Sequence, residues 1–271
     1  MPTVSNIYYF AHEAEDLVPR RPPVILIHGA GGNYLTWPPQ VRRLPGPNLF
    51  AVDLPGHGKS EGMGRQSIQE YADDIFTFMK SLRLRSVVLA GISMGSAIAL
   101  TLAVRYPKMV SGLVLLGSGA KLRVAPRILE SLGSPNMFES AVDMINKNCF
   151  SEKTPRQLKE LSRQIMMAIR PAVLLGDFLA CDQFDITDRL HEIQIPALIV
   201  CGTEDKMTPL KYSESLKGSI TGAQLKVVDG AGHMVMAEQP AVVAEMLLQF
   251  INTLATRTRS FDSRRAKRKA R

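Results

Sequence analysis

Short, wholly apolar runs recur along the 271-residue chain, and amphipathic stretches lie between most of them. Val24-Ile25-Leu26-Ile27, Leu49-Phe50-Ala51-Val52, Val87-Val88-Leu89-Ala90, Leu113-Val114-Leu115-Leu116 and Ala197-Leu198-Ile199-Val200-Cys201 contain no charged side chain. Runs of this length and composition predict strands buried on both faces. Asn6–His12 and Leu225–Val228 read as two further strands, one before and one after that series. Between them, Ile68, Tyr71, Ala72, Ile75, Phe78, Met79 and Leu82 recur at helical spacing and predict a helix with one apolar face. Residues 37–44, 96–103, 209–216 and 240–254 predict helices as well, and a polar connection through Pro19, Pro22 and Pro23 follows the first strand. Strands alternating with helices imply a mostly parallel sheet covered on both sides.

That alternation stops at about Lys121. As far as Asp185 no strand-like run occurs, and helices are predicted instead near Met137–Asn148, Pro155–Ile169 and Pro171–Cys181. The chain therefore divides into a first core segment (1–120), an inserted helical lid (121–185), a second core segment (186–255) and a basic tail (256–271). Composition alters this picture in one respect. Beyond Thr256, eight Arg and Lys residues face only Asp262, so the tail holds +7 of the net +8 and the body is nearly neutral. Such a tail is expected to be solvated and disordered, with at most non-specific attraction to phosphate, so nucleic acid is not expected as a partner. No apolar run approaches the ~20 residues of a membrane span. Three cysteines without metal-ligand spacing suggest free thiols in a reducing, cytoplasmic setting, and no secretory leader is read at the N-terminus.

The candidate chemistry centres on Gly91-Ile92-Ser93-Met94-Gly95, between the 87–90 strand and the following helix. A strand that turns abruptly into a helix needs small flanking residues, and it lifts the central serine above the sheet edge. A serine hydroxyl becomes a strong nucleophile only when a base takes its proton and an acid holds that base in one tautomer. Gly202-Thr203-Glu204-Asp205 supplies an acid after a predicted strand, and Gly230-Ala231-Gly232-His233 supplies a histidine after the last one. Glu204 competes with Asp205 for the acid. His28-Gly29-Ala30-Gly31-Gly32 follows the 24–27 strand and lacks the lysine of a phosphate loop.

These motifs together resemble the α/β-hydrolase superfamily, of the capped esterase, lactonase and C–C hydrolase kind. The resemblance runs from about Tyr8 to Leu254 and includes Asp53-Leu54-Pro55-Gly56-His57-Gly58-Lys59-Ser60. It implies Ser93 as nucleophile, His233 as general base and then acid, and Asp205 as its orienting acid. It also implies an oxyanion hole from the backbone N–H groups of Ala30 and Met94. Ser96 departs from the commonest pattern, which has a further glycine there, and the opening strands look short. The implied reaction is hydrolysis of a small, mostly apolar ester or lactone through an acyl-enzyme, without metal or cofactor, by a monomer or homodimer. C–C bond hydrolysis of a ring-cleavage product and cofactor-free perhydrolysis would use the same triad, and a catalytically idle binding protein would share the scaffold. The C–C reading calls for basic groups facing the pocket, for which Arg123, Arg127 and Arg163 are available. Met137, Met144, Met166 and Met167 are candidates to line an acyl pocket. Asp53, His28 and His57 are expected to hold loops together.

Overall fold

A computed structural model describes residues 2–14 and 21–269, with side chains described as far as Leu254. The part of the Pro-rich connection that includes Pro19 lies outside the described residues. The strands are β1 (Thr3–Val4), β2 (Ile7–His12), β3 (Val24–Ile27), β4 (Leu49–Val52), β5 (Val87–Ile92), β6 (Val110–Leu116), β7 (Ala197–Gly202) and β8 (Gln224–Val228). They form an eight-stranded sheet in the order β1-β2-β4-β3-β5-β6-β7-β8. The β1–β2 and β2–β4 pairs are antiparallel, and all the other neighbours, from β4–β3 to β7–β8, are parallel. All parallel strands therefore end on one edge, and β5 lies centrally in the sheet.

The helices of the core are α1 (Pro39–Arg42), α2 (Ile68–Ser81) and α3 (Met94–Arg105). The insertion follows with α4 (Pro126–Leu132), α5 (Phe138–Cys149), α6 (Arg156–Met167) and α7 (Pro171–Gln183). The core then resumes with α8 (Leu210–Ser219), α9 (Val235–Glu238) and α10 (Pro240–Lys269). The β-pleat divides each buried strand between two apolar layers. Ile25 and Ile27 of β3 pack with α2 and α3, whereas Val24 and Leu26 face the layer that includes Val41 of α1 and Leu247 and Ile251 of α10. The helix α3 is buried from Met94 to Val104, as its nearly all-apolar sequence requires.

The insertion has a core of its own, in which Ile128, Phe138, Val142, Ile145, Phe150, Val173 and Phe178 pack together. Lys121 and Asp185 pair across its neck as an isolated antiparallel bridge, with Lys121 Nζ 2.7 Å from Asp185 Oδ2. Sequence periodicity missed α4, because seven residues beginning at a proline are too short for a stripe. The 37–44 helix is broken: a 3₁₀ turn at Tyr34–Thr36 precedes the single turn α1, after two successive prolines. The last helix is longer than its predicted span of 240–254. Its backbone continues to Lys269, into the basic stretch that begins at residue 256. No glycine or proline follows Pro240, and Arg, Lys and Ala are good helix formers.

Candidate active site

At the C-terminal edge of β5 the chain turns into α3 within one residue, Ser93, with φ 55° and ψ −117°. A left-handed φ at a non-glycine residue costs on the order of 1–3 kcal/mol and survives only where the surroundings enforce it. Here they do. A Cβ on Gly91 would lie 2.2 Å from the carbonyl carbon of Gly95, and one on Gly95 would lie 2.2 Å from the carbonyl oxygen of Ile27. Both glycines are thus required by close backbone crossing. Ser96, the departure from the usual pattern, is fully buried, and its hydroxyl faces the carbonyls of Gly91 (2.7 Å) and Leu116 (3.1 Å). The serine thereby ties the first turn of α3 back to β5 and β6.

The loops after β7 and β8 converge beside this turn. His233 and Asp205 are both buried, and His233 Nδ1 lies 3.0 Å from Asp205 Oδ2 and 3.2 Å from Oδ1. It is Asp205, not Glu204, that reaches His233. The carboxylate is held by Met207 N–H (2.9 Å) and Thr208 N–H (2.8 Å) on Oδ1 and by the Thr208 hydroxyl (2.8 Å) on Oδ2. Burial alone would raise the Asp205 carboxyl, but attraction to His233 and these hydrogen bonds outweigh it and bring it below its ordinary value. Gly202 and Gly117 make room: a Cβ on the first would strike the Ala231 carbonyl, and one on the second would lie 2.8 Å from the His233 ring.

The loop after β3 passes on the other side of Ser93. A Cβ on Gly29 would lie 3.3 Å from Ser93 Cβ, so this backbone borders the hydroxyl closely. His28 Nε2 accepts from Leu54 N–H at 3.0 Å, so its Nδ1 carries the proton and donates to the Gly29 carbonyl at 2.8 Å. Complete burial, reinforced by the neighbouring His57, keeps that ring neutral and lowers its pKa to about 3. Neither the Ala30 nor the Met94 N–H has a protein hydrogen-bond partner among the described residues. Met94 opens α3, where an N–H has no intrahelical acceptor. Asp53 holds loops as expected, accepting from Tyr34 N–H (2.6 Å) and Lys59 N–H (2.8 Å).

Two carboxylates that sequence reasoning passed over join the insertion to these loops. Asp177 on α7 is fully buried and accepts from Gly31 N–H (2.9 Å), His57 Nε2 (2.7 Å) and the Tyr71 hydroxyl (2.6 Å). His57 Nδ1 meets the Pro55 carbonyl at 3.1 Å, so both ring nitrogens face acceptors, an arrangement that favours the positively charged ring. Burial works against that charge, but Asp177 more than offsets it, and the His57 pKa is raised. Glu238 accepts from Gly232 N–H (2.9 Å), beside His233, and from Ser151 N–H (3.0 Å) and the Thr154 hydroxyl (2.5 Å) in the insertion. The one signal in the sequence was a lone carboxylate within the apolar run 171–181.

Ser93 and His233 open into a cavity of about 370 Å³ between the sheet edge and the insertion. Its walls are mostly apolar, with Ile128, Ile145, Ile165 and Phe178 from the insertion and Ala30 from the loop after β3. Of the four methionines expected there, Met166 lines it; Met137 is largely exposed, and Met144 and Met167 pack against the insertion's core. Met207 and Met234, beside the acid and the histidine, line it too. Of the three arginines, Arg123 borders the cavity and donates to the Asp182 carbonyl, while Arg163 pairs with Asp143 and Glu139 on the exposed side of α5. All three cysteines are free and buried, and burial pushes the Cys149 thiol up to about 12. Among the described residues no single helix is long and apolar enough to cross a membrane.

A parallel sheet with a strained serine at the end of its central strand, and a buried Asp–His pair on later loops, defines a hydrolase of the α/β class. A family model described as the Alpha/beta hydrolase family matches residues 24–246, and the chain belongs to that family. AB hydrolase superfamily protein YisY of Bacillus subtilis is 26% identical over 249 residues, covering 85% of this chain and 92% of its own length. A solved structure of a thermophilic esterase is 33% identical and superposes with a TM-score of 0.79, covering 93% of this chain and 96% of that one. The structure of Est816, described as an N-acyl homoserine lactone degrading enzyme, is 26% identical with a TM-score of 0.78, covering 90% of this chain and 96% of that one.

Proposed function

We propose that the protein is a serine hydrolase that cleaves a small, mostly apolar carboxylic ester or lactone through an acyl-enzyme. In this reading His233 removes the proton of Ser93 as its oxygen attacks the carbonyl carbon. Asp205 holds the Nδ1 proton, leaving Nε2 as the base. The N–H groups of Ala30 and Met94 receive the negative charge that develops on the carbonyl oxygen, each worth roughly 3 kcal/mol of barrier. The protonated His233 then passes its proton to the departing alkoxide, and a water molecule activated by the same ring releases the acid.

The observation that carries the reading is the buried Asp205–His233 contact at 3.0 Å, sharing one cavity with a serine held at φ 55°. The apolar walls supplied by the insertion support its role as a lid over residues 121–185 and favour an uncharged acyl group. C–C hydrolysis is less well served, because one of the three candidate arginines borders the cavity and a backbone carbonyl already engages it. The esterase and lactone-degrading activities named for the similar structures agree with this substrate class. Buried free thiols suit a cytoplasmic setting.

The test compares the wild-type protein with Ser93→Ala on p-nitrophenyl esters of increasing chain length and on a lactone series. Ser93→Ala should lose on the order of 10⁶ in kcat while keeping its circular dichroism spectrum. Equal turnover by the two proteins would dispose of the mechanism.

A further inference from the structure

The hydrogen bonds of Asp177 tie together segments that are remote in sequence. The carboxylate sits on α7 of the insertion, 0% exposed, and meets the loop after β3 at Gly31, the loop after β4 at His57 and α2 at Tyr71. An apolar side chain would fill the same space, and a buried ion pair adds little net stability over one. What a carboxylate adds is direction. It fixes the Gly31 N–H at 2.9 Å, one peptide away from the Ala30 N–H.

The other constraints on this loop act in the same sense. Gly29 is fixed from before, by the His28 Nδ1–H and by the Gly32 N–H, both on its carbonyl. Gly31 adopts φ +68°, and a Cβ there would lie 2.7 Å from Leu174 Cδ1 and 3.0 Å from Met166 Cγ, both in the insertion. Gly176, beside Asp177, lets α7 approach the core: a Cβ there would lie 2.7 Å from the Arg65 carbonyl. The loop is thus held between Ser93 on one side and the insertion on the other.

From this we propose that Asp177 is a positioning residue for catalysis: by holding Gly31 it orients the Ala30 N–H toward the oxyanion, so turnover depends on the docking of α7. The proposal rests on the serine-hydrolase reading above. Removing the carboxylate frees the loop and leaves the cavity walls in place, so it weakens transition-state binding more than substrate binding. His57 has a supporting part in this, since its Nε2 lies 2.7 Å from Asp177 Oδ2, the oxygen that accepts from Gly31 N–H.

The experiment uses the full chain as wild type, Asp177→Leu, Tyr71→Phe and Ser93→Ala. Kinetics on p-nitrophenyl acetate are normalised to titrated active sites, and hydrogen exchange is followed in peptides covering 29–36 and 171–183. Asp177→Leu, which is close in size and accepts no hydrogen bond, should lower kcat by on the order of 10²–10³, as for loss of one oxyanion donor, with KM within about threefold. Its 29–36 peptide should exchange at least about tenfold faster. Tyr71→Phe keeps the Gly31 bond and should keep kcat within about fivefold. Unchanged kcat per active site, or unchanged exchange in 29–36, would overturn the proposal. If Asp177→Leu does not fold, amide exchange in the ¹⁵N-labelled wild type decides. A protected Gly31 amide supports the anchor, and one exchanging at the free-loop rate overturns it. Failure of the underlying reading shows separately, as equal hydrolysis by wild type and Ser93→Ala.

Discussion

Replacing Asp205 by asparagine changes one atom and should change the tautomer of His233. The structure dictates how the new amide must lie. Oδ1 accepts two backbone N–H groups, from Met207 at 2.9 Å and Thr208 at 2.8 Å, so the amide oxygen has to occupy that position. The amide nitrogen then takes the place of Oδ2, 3.0 Å from His233 Nδ1. A donor facing Nδ1 forces that nitrogen to accept, which moves the ring proton to Nε2. A ring protonated at Nε2 cannot take the proton of Ser93. Mis-set tautomers of this kind cost on the order of 10⁴ in kcat, or about 5.4 kcal/mol of barrier. The fold should survive, because the Thr208 hydroxyl can turn from donor to acceptor and no volume is lost. The assay is kcat and KM on p-nitrophenyl acetate for Asp205→Asn, beside Glu204→Gln as control. The control should stay within about threefold of wild type. An Asp205→Asn enzyme retaining more than a tenth of wild-type kcat, or a crippled Glu204→Gln enzyme, would refute the reasoning.

Two further outcomes concern stability. His28 has a folded pKa depressed to about 3, so its contribution is present above the unfolded value near 6.5 and is lost as pH falls toward 3. His57 has a raised folded pKa, so its contribution is present below about 6.5 and is lost as pH rises through the folded value. Between them these histidines place the stability maximum near pH 6.5. Thermal unfolding from pH 4 to 9 checks this, and a Tm that climbs steadily in either direction contradicts it. The second outcome contrasts two glycines. Gly95→Ala puts a Cβ 2.2 Å from a backbone carbonyl and should lower Tm by well over 10 °C or prevent folding, whereas Gly218→Ala, in α8 with nothing within 4 Å, should stabilise by about 0.5–1 kcal/mol. Equal Tm changes in the two variants would show that the close crossing at the elbow is not real.

The sequence by itself determined the sheet and which residues stand as candidates at its edge. Wholly apolar runs such as 24–27 and 87–90 have no stable place except between two covering layers, so their burial was readable without coordinates. Gly91 and Gly95 were readable too, because the steric demand of a strand–helix crossing is local. The order of Ser93, Asp205 and His233 was visible in the same way, since each follows a predicted strand end. Tertiary structure alone decided which groups meet. Whether Asp205 or Glu204 reaches His233 depends on how the loop after β7 curls around Met207 and Thr208. Asp177 lies 146 residues from Gly31 and 120 from His57, and no local pattern encodes that meeting. The insertion's helices were legible as helices, but their docking was not. An amphipathic stripe states that a face is buried, and only the packed chain states against what.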